Sequence, residues 1–183
     1  MTPRFDPLIG LLRVARGKAD GLARFGGSTT SFMTSLAPLV AFPIVGALIV
    51  LARDGAVAAF GLLTATLIAQ LAPAVLSHAV AVRWGREPQW LHYATAYNWC
   101  YWAIPVVATV LMTLLGSAMR AGMSAEAAIQ AFFLALAGYS LWLHWFLARH
   151  GLSLSKWRAA GLVALVNAGT LALAFGPRLL APG

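Results

Sequence analysis

The residues of this sequence whose types could do chemistry are mostly histidines and amides that stand in or beside long apolar stretches. The sharpest set is His78, His92, Asn98 and His144, because polar groups are costly inside a membrane and are therefore functional candidates. Imidazoles bind metals and haem, and they carry protons near neutral pH. We expect these four side chains to lie at similar depth as one polar layer. We favour an alternative in which each histidine forms a hydrogen bond to headgroup water or to a backbone carbonyl. We favour it because the set contains no carboxylate that would orient an imidazole.

Two further amides and a run of aromatic residues complete the candidates. Gln70 and Asn167 stand near the middle of apolar stretches. They either line a polar path or, as we favour, form hydrogen bonds between helices. The run 97–102 precedes Pro105. It either binds a lipid or a small hydrophobic ligand or, as favoured, packs above a helix kink.

The usual signatures of catalysis and cofactor binding are missing from the sequence. There is one cysteine, Cys100, so no internal disulfide forms, and no zinc-ligand spacing is present. Nor is there a Gly-rich phosphate loop, a pair of carboxylates or a Ser/His/Asp spacing. We therefore predict no catalytic residue, no metal site and no cofactor, and a protein that is not an enzyme.

The composition predicts that these candidates are positioned by helices in a membrane. The chain has 183 residues, of which 61% are hydrophobic and 10% charged, and its mean hydropathy is +0.80. A soluble domain carries roughly a quarter charged residues, so lipid is the better solvent for this chain. The net charge of +8 could indicate nucleic acid. However, the basic residues lie between apolar runs, where membrane topology explains them and no nucleic-acid partner is expected.

Five apolar stretches meet or approach the roughly 20 residues that a helix needs to cross a bilayer. The predicted fold class is all-α: a polytopic membrane protein with five transmembrane helices, preceded by an N-terminal amphipathic interfacial helix. Residues 1–30 form the cytoplasmic lead-in and a Gly-rich turn, and residues 31–183 form the transmembrane domain. The predicted spans are 31–52, 56–82, 94–118, 125–148 and 157–175.

The distribution of Lys and Arg predicts the orientation. Ten of these residues lie before the first span, in the loops that follow the second and fourth spans or at the very start of the fifth span, and three lie on the other side. Because Lys and Arg are retained on the cytoplasmic face, we expect the N-terminus in the cytoplasm and the C-terminus outside. The membrane expected is a bacterial inner membrane.

The N-terminal segment has the pattern of an amphipathic helix over residues 5–25. Asp6 and Pro7 are a typical N-cap and first helical residue, and we expect the mature protein to keep this segment. We predict that Arg13, Arg16 and Arg24 face anionic lipid on the cytoplasmic leaflet. The equally weighted alternative is that the helix packs on the protein's own loops. The apolar face comprises Phe5, Leu8, Leu12, Ala15, Ala19 and Leu22.

Small residues on the last span predict a packing face. They repeat every four residues and so share one side of a helix, where they let two backbones approach closely. We expect this stripe to pack either inside the bundle or between two copies of the chain. The stripe comprises Ala160, Ala164, Ala168 and Ala172.

Two stretches resemble the bacterial members of the Yip family, the Ypt/Rab-interacting membrane proteins. They are ATAYNWCYWAIPVVATVLM at 94–112 and HGLSLSKWRAAGLVA at 150–164. In the first, the family has a span with an aromatic residue, then proline and aliphatic residues. In the second, it has a short turn, a basic residue and an Ala-rich start of the last span. The sequence 85–88 (GREP) departs from the glycine-rich lead into the third span that many members have. The resemblance implies a five-span scaffold after a cytoplasmic segment.

The leading functional prediction is a non-enzymatic membrane protein that acts by association with lipid or with another membrane protein, including a second copy of itself. One alternative is a transport or permease component that uses the histidine layer and the two central amides. The other is a small haem-binding subunit of a redox complex, with His78 and His144 as haem ligands.

Overall fold

The computed structural model describes residues 6–180, with side chains described as far as Ala174. Within that range the chain is helical and contains no strand. Besides a 3₁₀ helix at Ala19–Arg24, it forms seven α-helices: α1 (Pro7–Val14), α2 (Thr29–Asp54), α3 (Ala56–Arg83), α4 (Glu87–Cys100), α5 (Ala103–Arg120), α6 (Ala125–Gly151) and α7 (Lys156–Leu180).

Five helical stretches are long and apolar enough to cross a membrane, which confirms the predicted fold class. The third differs from its prediction in where it begins, at Glu87 instead of Ala94. Pro88 occupies the first turn of α4, where a missing N–H costs no helical hydrogen bond. The five are Thr29–Asp54, Ala56–Arg83, Glu87–Arg120, Ala125–Gly151 and Lys156–Ala174.

The third stretch is not one helix, because the chain breaks between α4 and α5 at Tyr101 and Trp102. Pro105 has no N–H for the Tyr101 carbonyl, and its ring crowds that carbonyl. The Tyr101 carbonyl instead accepts a hydrogen bond from the Ile104 N–H at 3.1 Å. The break therefore lets α4 and α5 take different paths through the bundle.

The long helices wrap around α4. Among the described residues, extensive packing joins α2 to α3, α3 to α7, α7 to α6 and α6 to α5, while α4 packs against α2, α3 and α6. Tyr93, Ala96 and Cys100 of α4 are at most 2% exposed. The loops between α3 and α4 and between α6 and α7 lie at one end of this bundle, with the start of α2. We call this the basic end.

The N-terminal segment folds back on itself instead of forming one helix over residues 5–25. Asp6 caps α1 as predicted, since its Oδ1 accepts a hydrogen bond from the Ile9 N–H at 3.2 Å, whereas Phe5 lies outside the described residues. The chain reverses at Gly17, with a φ of 75°, and the 3₁₀ helix returns along α1. The two approach so closely that a Cβ on Gly21 would lie 2.8 Å from the Gly10 carbonyl oxygen.

An ion pair joins the two arms of this segment. The Arg13 Nε donates to Asp20 Oδ1 at 3.0 Å, and its Nη2 donates to the other carboxylate oxygen. The hydrogen bond from Arg13 lowers the pKa of the Asp20 carboxyl. The pair therefore stabilises the segment above the unfolded pKa of Asp20, and this contribution is lost as the pH falls through the lowered value.

The segment packs on the bundle with one face and exposes apolar residues on the other. His92 Nε2 lies 2.8 Å from the Leu22 carbonyl oxygen, and the Tyr139 hydroxyl donates to the Ala15 carbonyl at 3.2 Å. In contrast, Leu8 is 67% and Leu12 51% exposed. Of the two predicted arrangements, packing on the protein therefore describes one face of the segment, and contact with lipid suits the other. Of the basic residues predicted to face lipid, Arg13 pairs with Asp20, Arg16 is exposed and Arg24 is half-buried.

The alanine stripe of α7 lies outside the bundle, which excludes the first of its two predicted arrangements, packing inside the bundle. Ala160, Ala164, Ala168 and Ala172 are all exposed. The helix instead packs on α3 and α6 with another face, on which two larger residues stand beside one alanine and fill the space between the helices. This packed face comprises Ala159, Leu162 and Val166, each at most 1% exposed. Packing of the stripe between two copies stays a prediction.

The two faces of α7 can be compared with neighbouring alanines. We expect Ala159→Leu to lower the thermal stability of the detergent-solubilised protein, by about 1–3 kcal/mol for an overpacked site. Ala160→Leu should change stability little, because this residue is exposed. An equal loss in both variants, measured by thermal unfolding, would contradict the assigned orientation of α7.

Candidate functional site

A polar cavity of about 200 Å³ lies where the α4–α5 break meets α6 and α7. Leu143, Leu147 and Ile104 supply apolar wall. The polar residues in its wall are Tyr97, Tyr101, Ser140, His144 and Asn167.

The cavity lies deep in the membrane-spanning part of the bundle. Asn167 stands eleven residues after the start of α7, and Ser140 stands eleven residues before the end of α6. At 1.5 Å per residue, each is about 16 Å from the basic end. The cavity is therefore a polar site inside the bundle, well away from the basic end.

His144 lies at the centre of a hydrogen-bonded chain that joins three helices. Its Nε2 is 3.0 Å from the Tyr93 hydroxyl of α4, and its Nδ1 is 3.3 Å from Asn167 Nδ2 of α7. The same Asn167 nitrogen donates to the Val163 carbonyl at 2.8 Å. An amide nitrogen carries two hydrogens, so Nδ1 accepts and the Nε2–H donates to Tyr93. Both imidazole nitrogens are therefore engaged.

The other polar groups of the cavity can bind a guest. Ser140 donates to the Leu136 carbonyl at 2.7 Å, which leaves its lone pairs as acceptors, and Asn167 keeps its carbonyl oxygen. Within residues 6–180 the hydroxyls of Tyr97 and Tyr101 make no hydrogen bond to another group of the chain. The cavity thus offers both donors and acceptors, and none of its lining side chains is a carboxylate, Lys or Arg.

A second, smaller cavity of about 20 Å³ shares Tyr97 and Tyr101 with the first. Asn98 lines it and donates to Ser35 Oγ at 2.9 Å. Gln70 also lines it, and the Oε1 of Gln70 is buried without a hydrogen-bond partner in the described structure. The volume suffices for one water, which needs about 10–15 Å³ and two or more polar partners. The two tyrosines therefore separate two polar spaces.

The predicted four-residue layer does not form one site. His144 and Asn98 line different cavities, and His92 contacts the Leu22 carbonyl. His78 lies edge-on to Trp90 at 4.6 Å, with its Nε2 3.9 Å from a Glu87 carboxylate oxygen. The sequence indicates how deep in the membrane each residue lies. It does not fix the direction of each side chain, because an error of one residue in the helix position rotates a side chain by about 100° around its helix.

A haem ligand pair at His78 and His144 gains no support from this geometry. Among the described elements α3 packs mainly on α2, α4 and α7, whereas α6 packs mainly on α4, α5 and α7. Coordination through either nitrogen of His144 would also break its hydrogen bond to Tyr93 or to Asn167.

Two central residues of the site, Tyr93 and Ser140, were not among the predicted candidates. Nothing in the sequence distinguishes them from other polar residues of apolar helices. The aromatic run 97–102 lies at the break between α4 and α5. Its favoured interpretation, packing above a helix kink, therefore agrees with the structure in part. The same run also lines both cavities through Tyr97 and Tyr101.

Comparisons with known proteins find no match to this chain among protein families, curated proteins or solved structures. The resemblance to the Yip family therefore stays a prediction.

The hydrogen bonds made by His144 can be tested by replacing two tyrosines, one at a time. We expect Tyr93→Phe to leave the His144 Nε2–H buried without an acceptor, which costs about 1–3 kcal/mol of stability. Tyr97→Phe is the control, because its hydroxyl bonds to no other group within residues 6–180. Thermal unfolding in detergent measures both variants. If the Tyr93→Phe variant were as stable as the wild type, the hydrogen bonds through His144 would not stabilise the fold.

Proposed function

We propose that this chain is a non-enzymatic integral membrane protein that acts by association, and that it binds a small uncharged molecule of the bilayer. The observation that carries this proposal is the cavity of about 200 Å³ beside the helix break. It offers hydrogen-bond donors and acceptors inside the bundle, and no carboxylate, Lys or Arg side chain lines it.

The size and the polarity of the cavity indicate the class of ligand. Pockets for drug-sized molecules measure roughly 300–1,000 Å³, so this one suits a smaller group, such as the head of a neutral amphiphile. An ion would lose its hydration without gaining an opposite charge, which is costly in a medium of low dielectric constant. A hydroxyl or carbonyl group would instead pair with the hydroxyls of Tyr97 and Tyr101 and with the Asn167 oxygen.

The position of α5 supports access from the bilayer. Among the described helices, α5 packs extensively against α6 alone, and Tyr101, at the break, is 45% exposed. An amphiphile could therefore reach the cavity sideways, with its tail beside α5.

The chemistry of the wall supports binding over catalysis. A serine nucleophile needs an adjacent base, but both nitrogens of His144 are already engaged and Ser140 donates to its own helix. Cys100 is fully buried.

A transport component is the second candidate, because one observation favours it. The two polar cavities meet at Tyr97 and Tyr101, so rotation of these rings would join Gln70 and Asn98 to the cavity at Asn167. That path would run across the bundle interior at mid-depth, and the binding role requires no such motion.

The proposed binding can be tested with two neutral lipids, of which one has a free hydroxyl and the other has that hydroxyl esterified with a third acyl chain. We expect 1,2-diacylglycerol to raise the melting temperature of the purified protein and triacylglycerol with the same chains to have little effect. At one hundred times the dissociation constant, a bound ligand adds about 2.7 kcal/mol.

Two variants and a control locate the effect. Tyr97→Phe combined with Asn167→Leu should abolish the response to diacylglycerol. Thr109→Val should keep it, since Thr109 is an exposed threonine that bonds to its own helix. An equal response to both lipids, or an unchanged response in the double variant, would contradict binding in this cavity.

The proposal includes an orientation in a bacterial inner membrane, with the basic end in the cytoplasm against anionic lipid. The excess of Lys and Arg at that end supports it, as do the exposed Leu8 and Leu12 of α1. The Yip-like scaffold role rests only on the two stretches quoted above.

Reporter fusions test the orientation. A reporter that works only outside the cytoplasm should be active when it is fused after Gly183. A reporter that works only in the cytoplasm should be active when it is fused before the first residue. A C-terminal fusion that behaves as a cytoplasmic protein would contradict the orientation.

A further inference from the structure

A groove of about 440 Å³ lies between α2, α3 and the start of α4 and shares no lining residue with the His144 cavity. Leu71, Val75 and His78 place its length along one face of α3, over seven residues or about 10 Å. Phe32 and Leu36 form the α2 side. The groove thus runs from near the basic end toward the middle of α3, and its wall is apolar except for His78.

Trp90 gives the groove a fixed wall. Its indole N–H donates to Ser77 Oγ at 3.1 Å, so the polar edge of the ring is satisfied inside the protein. The ring also lies against Phe32 at 5.2 Å and edge-on to His78 at 4.6 Å. The groove is therefore formed before any ligand arrives, and a ligand need not order this side chain.

The end of the groove nearest the basic end carries charges of both signs. Glu87, in the first turn of α4, has a carboxylate oxygen 3.9 Å from His78 Nε2, and its side chain is 64% exposed. Arg86 is its neighbour in the chain, and Arg83 ends α3. An accessible carboxylate thus lies beside His78, a residue of the groove wall, and Arg86 and Arg83 stand one and four residues before it in the chain.

We propose that this groove binds one phospholipid with a zwitterionic headgroup that carries a primary ammonium, as phosphatidylethanolamine does. The ammonium donates to the Glu87 carboxylate, the phosphate lies beside Arg83 and Arg86, and one acyl chain fills the groove along α3. This site does not depend on the function proposed for the His144 cavity.

The charges at the rim distinguish this lipid from the other common ones. A phosphatidylglycerol headgroup has no cation for Glu87, so the carboxylate would stand near its phosphate unpaired. A choline headgroup has a cation but no N–H, so it gains no charge-assisted hydrogen bond. An ethanolamine headgroup satisfies both the carboxylate and the arginines.

The test compares the lipids that the full-length protein retains. Detergent-solubilised protein is incubated with an equimolar mixture of phosphatidylethanolamine, phosphatidylcholine and phosphatidylglycerol of the same chains, and bound lipid is quantified by native mass spectrometry. Wild type should retain phosphatidylethanolamine in excess of the other two. Glu87→Gln should reduce that preference roughly tenfold, as expected for a lost hydrogen bond to a charged group. The control is Glu126→Gln, which removes a carboxylate at the opposite end of the bundle.

A second pair of variants tests the tail site. Ala74→Phe should fill the groove and lower the retention of all three lipids, whereas Ala160→Phe, on the exposed alanine stripe of α7, should not. Equal retention of the three lipids by wild type would overturn the proposal, as would an unchanged preference in Glu87→Gln. A correctly folded Ala74→Phe variant with wild-type retention would place the lipid elsewhere.

Discussion

The break between α4 and α5 is the feature on which the rest of this structure depends. A proline cannot continue the helical hydrogen bonds of the preceding turn, and Pro105 therefore separates the third apolar stretch into an inner and an outer helix. Because α4 ends inside the bundle, α2, α3 and α6 can pack around it. The space at its end becomes the polar cavity, and the tyrosines of its last turn become the wall of that cavity.

Hydrogen bonds between helices determine how each helix is rotated around α4. Apolar surface contributes little to this choice in a membrane, since lipid tails are as apolar as the side chains. Polar side chains do discriminate, because an unpaired one in hydrocarbon is costly. Asn98 bonds to α2 through Ser35, Trp90 to α3 through Ser77, and Tyr93 to α6 through His144. Each links α4 to a different neighbour, so few rotations satisfy all of them.

The N-terminal segment illustrates how one short stretch serves two environments. Leu22 and Phe25 are buried against the bundle, while Leu8 and Leu12 are exposed. The ion pair between Arg13 and Asp20 holds the two arms together. The segment also contacts Tyr139 of α6, twelve residues before the end of that helix. It is therefore both a part of the packed core and a surface suited to lipid.

The sequence by itself determined the helical class, the five apolar stretches and the helix start at Asp6, because these depend on local composition and on capping. It also marked Pro105 as a kink and identified Asn167 and His144 as polar residues in apolar surroundings. Only the tertiary structure decided their partners. The depth of a residue follows from its distance along the helix. The direction of its side chain depends on how the helix is rotated about its axis, and the side chains of neighbouring residues point about 100° apart. For that reason His144 contacts Asn167 and not His78, and the alanine stripe of α7 lies outside the bundle while Leu162 and Val166 lie inside.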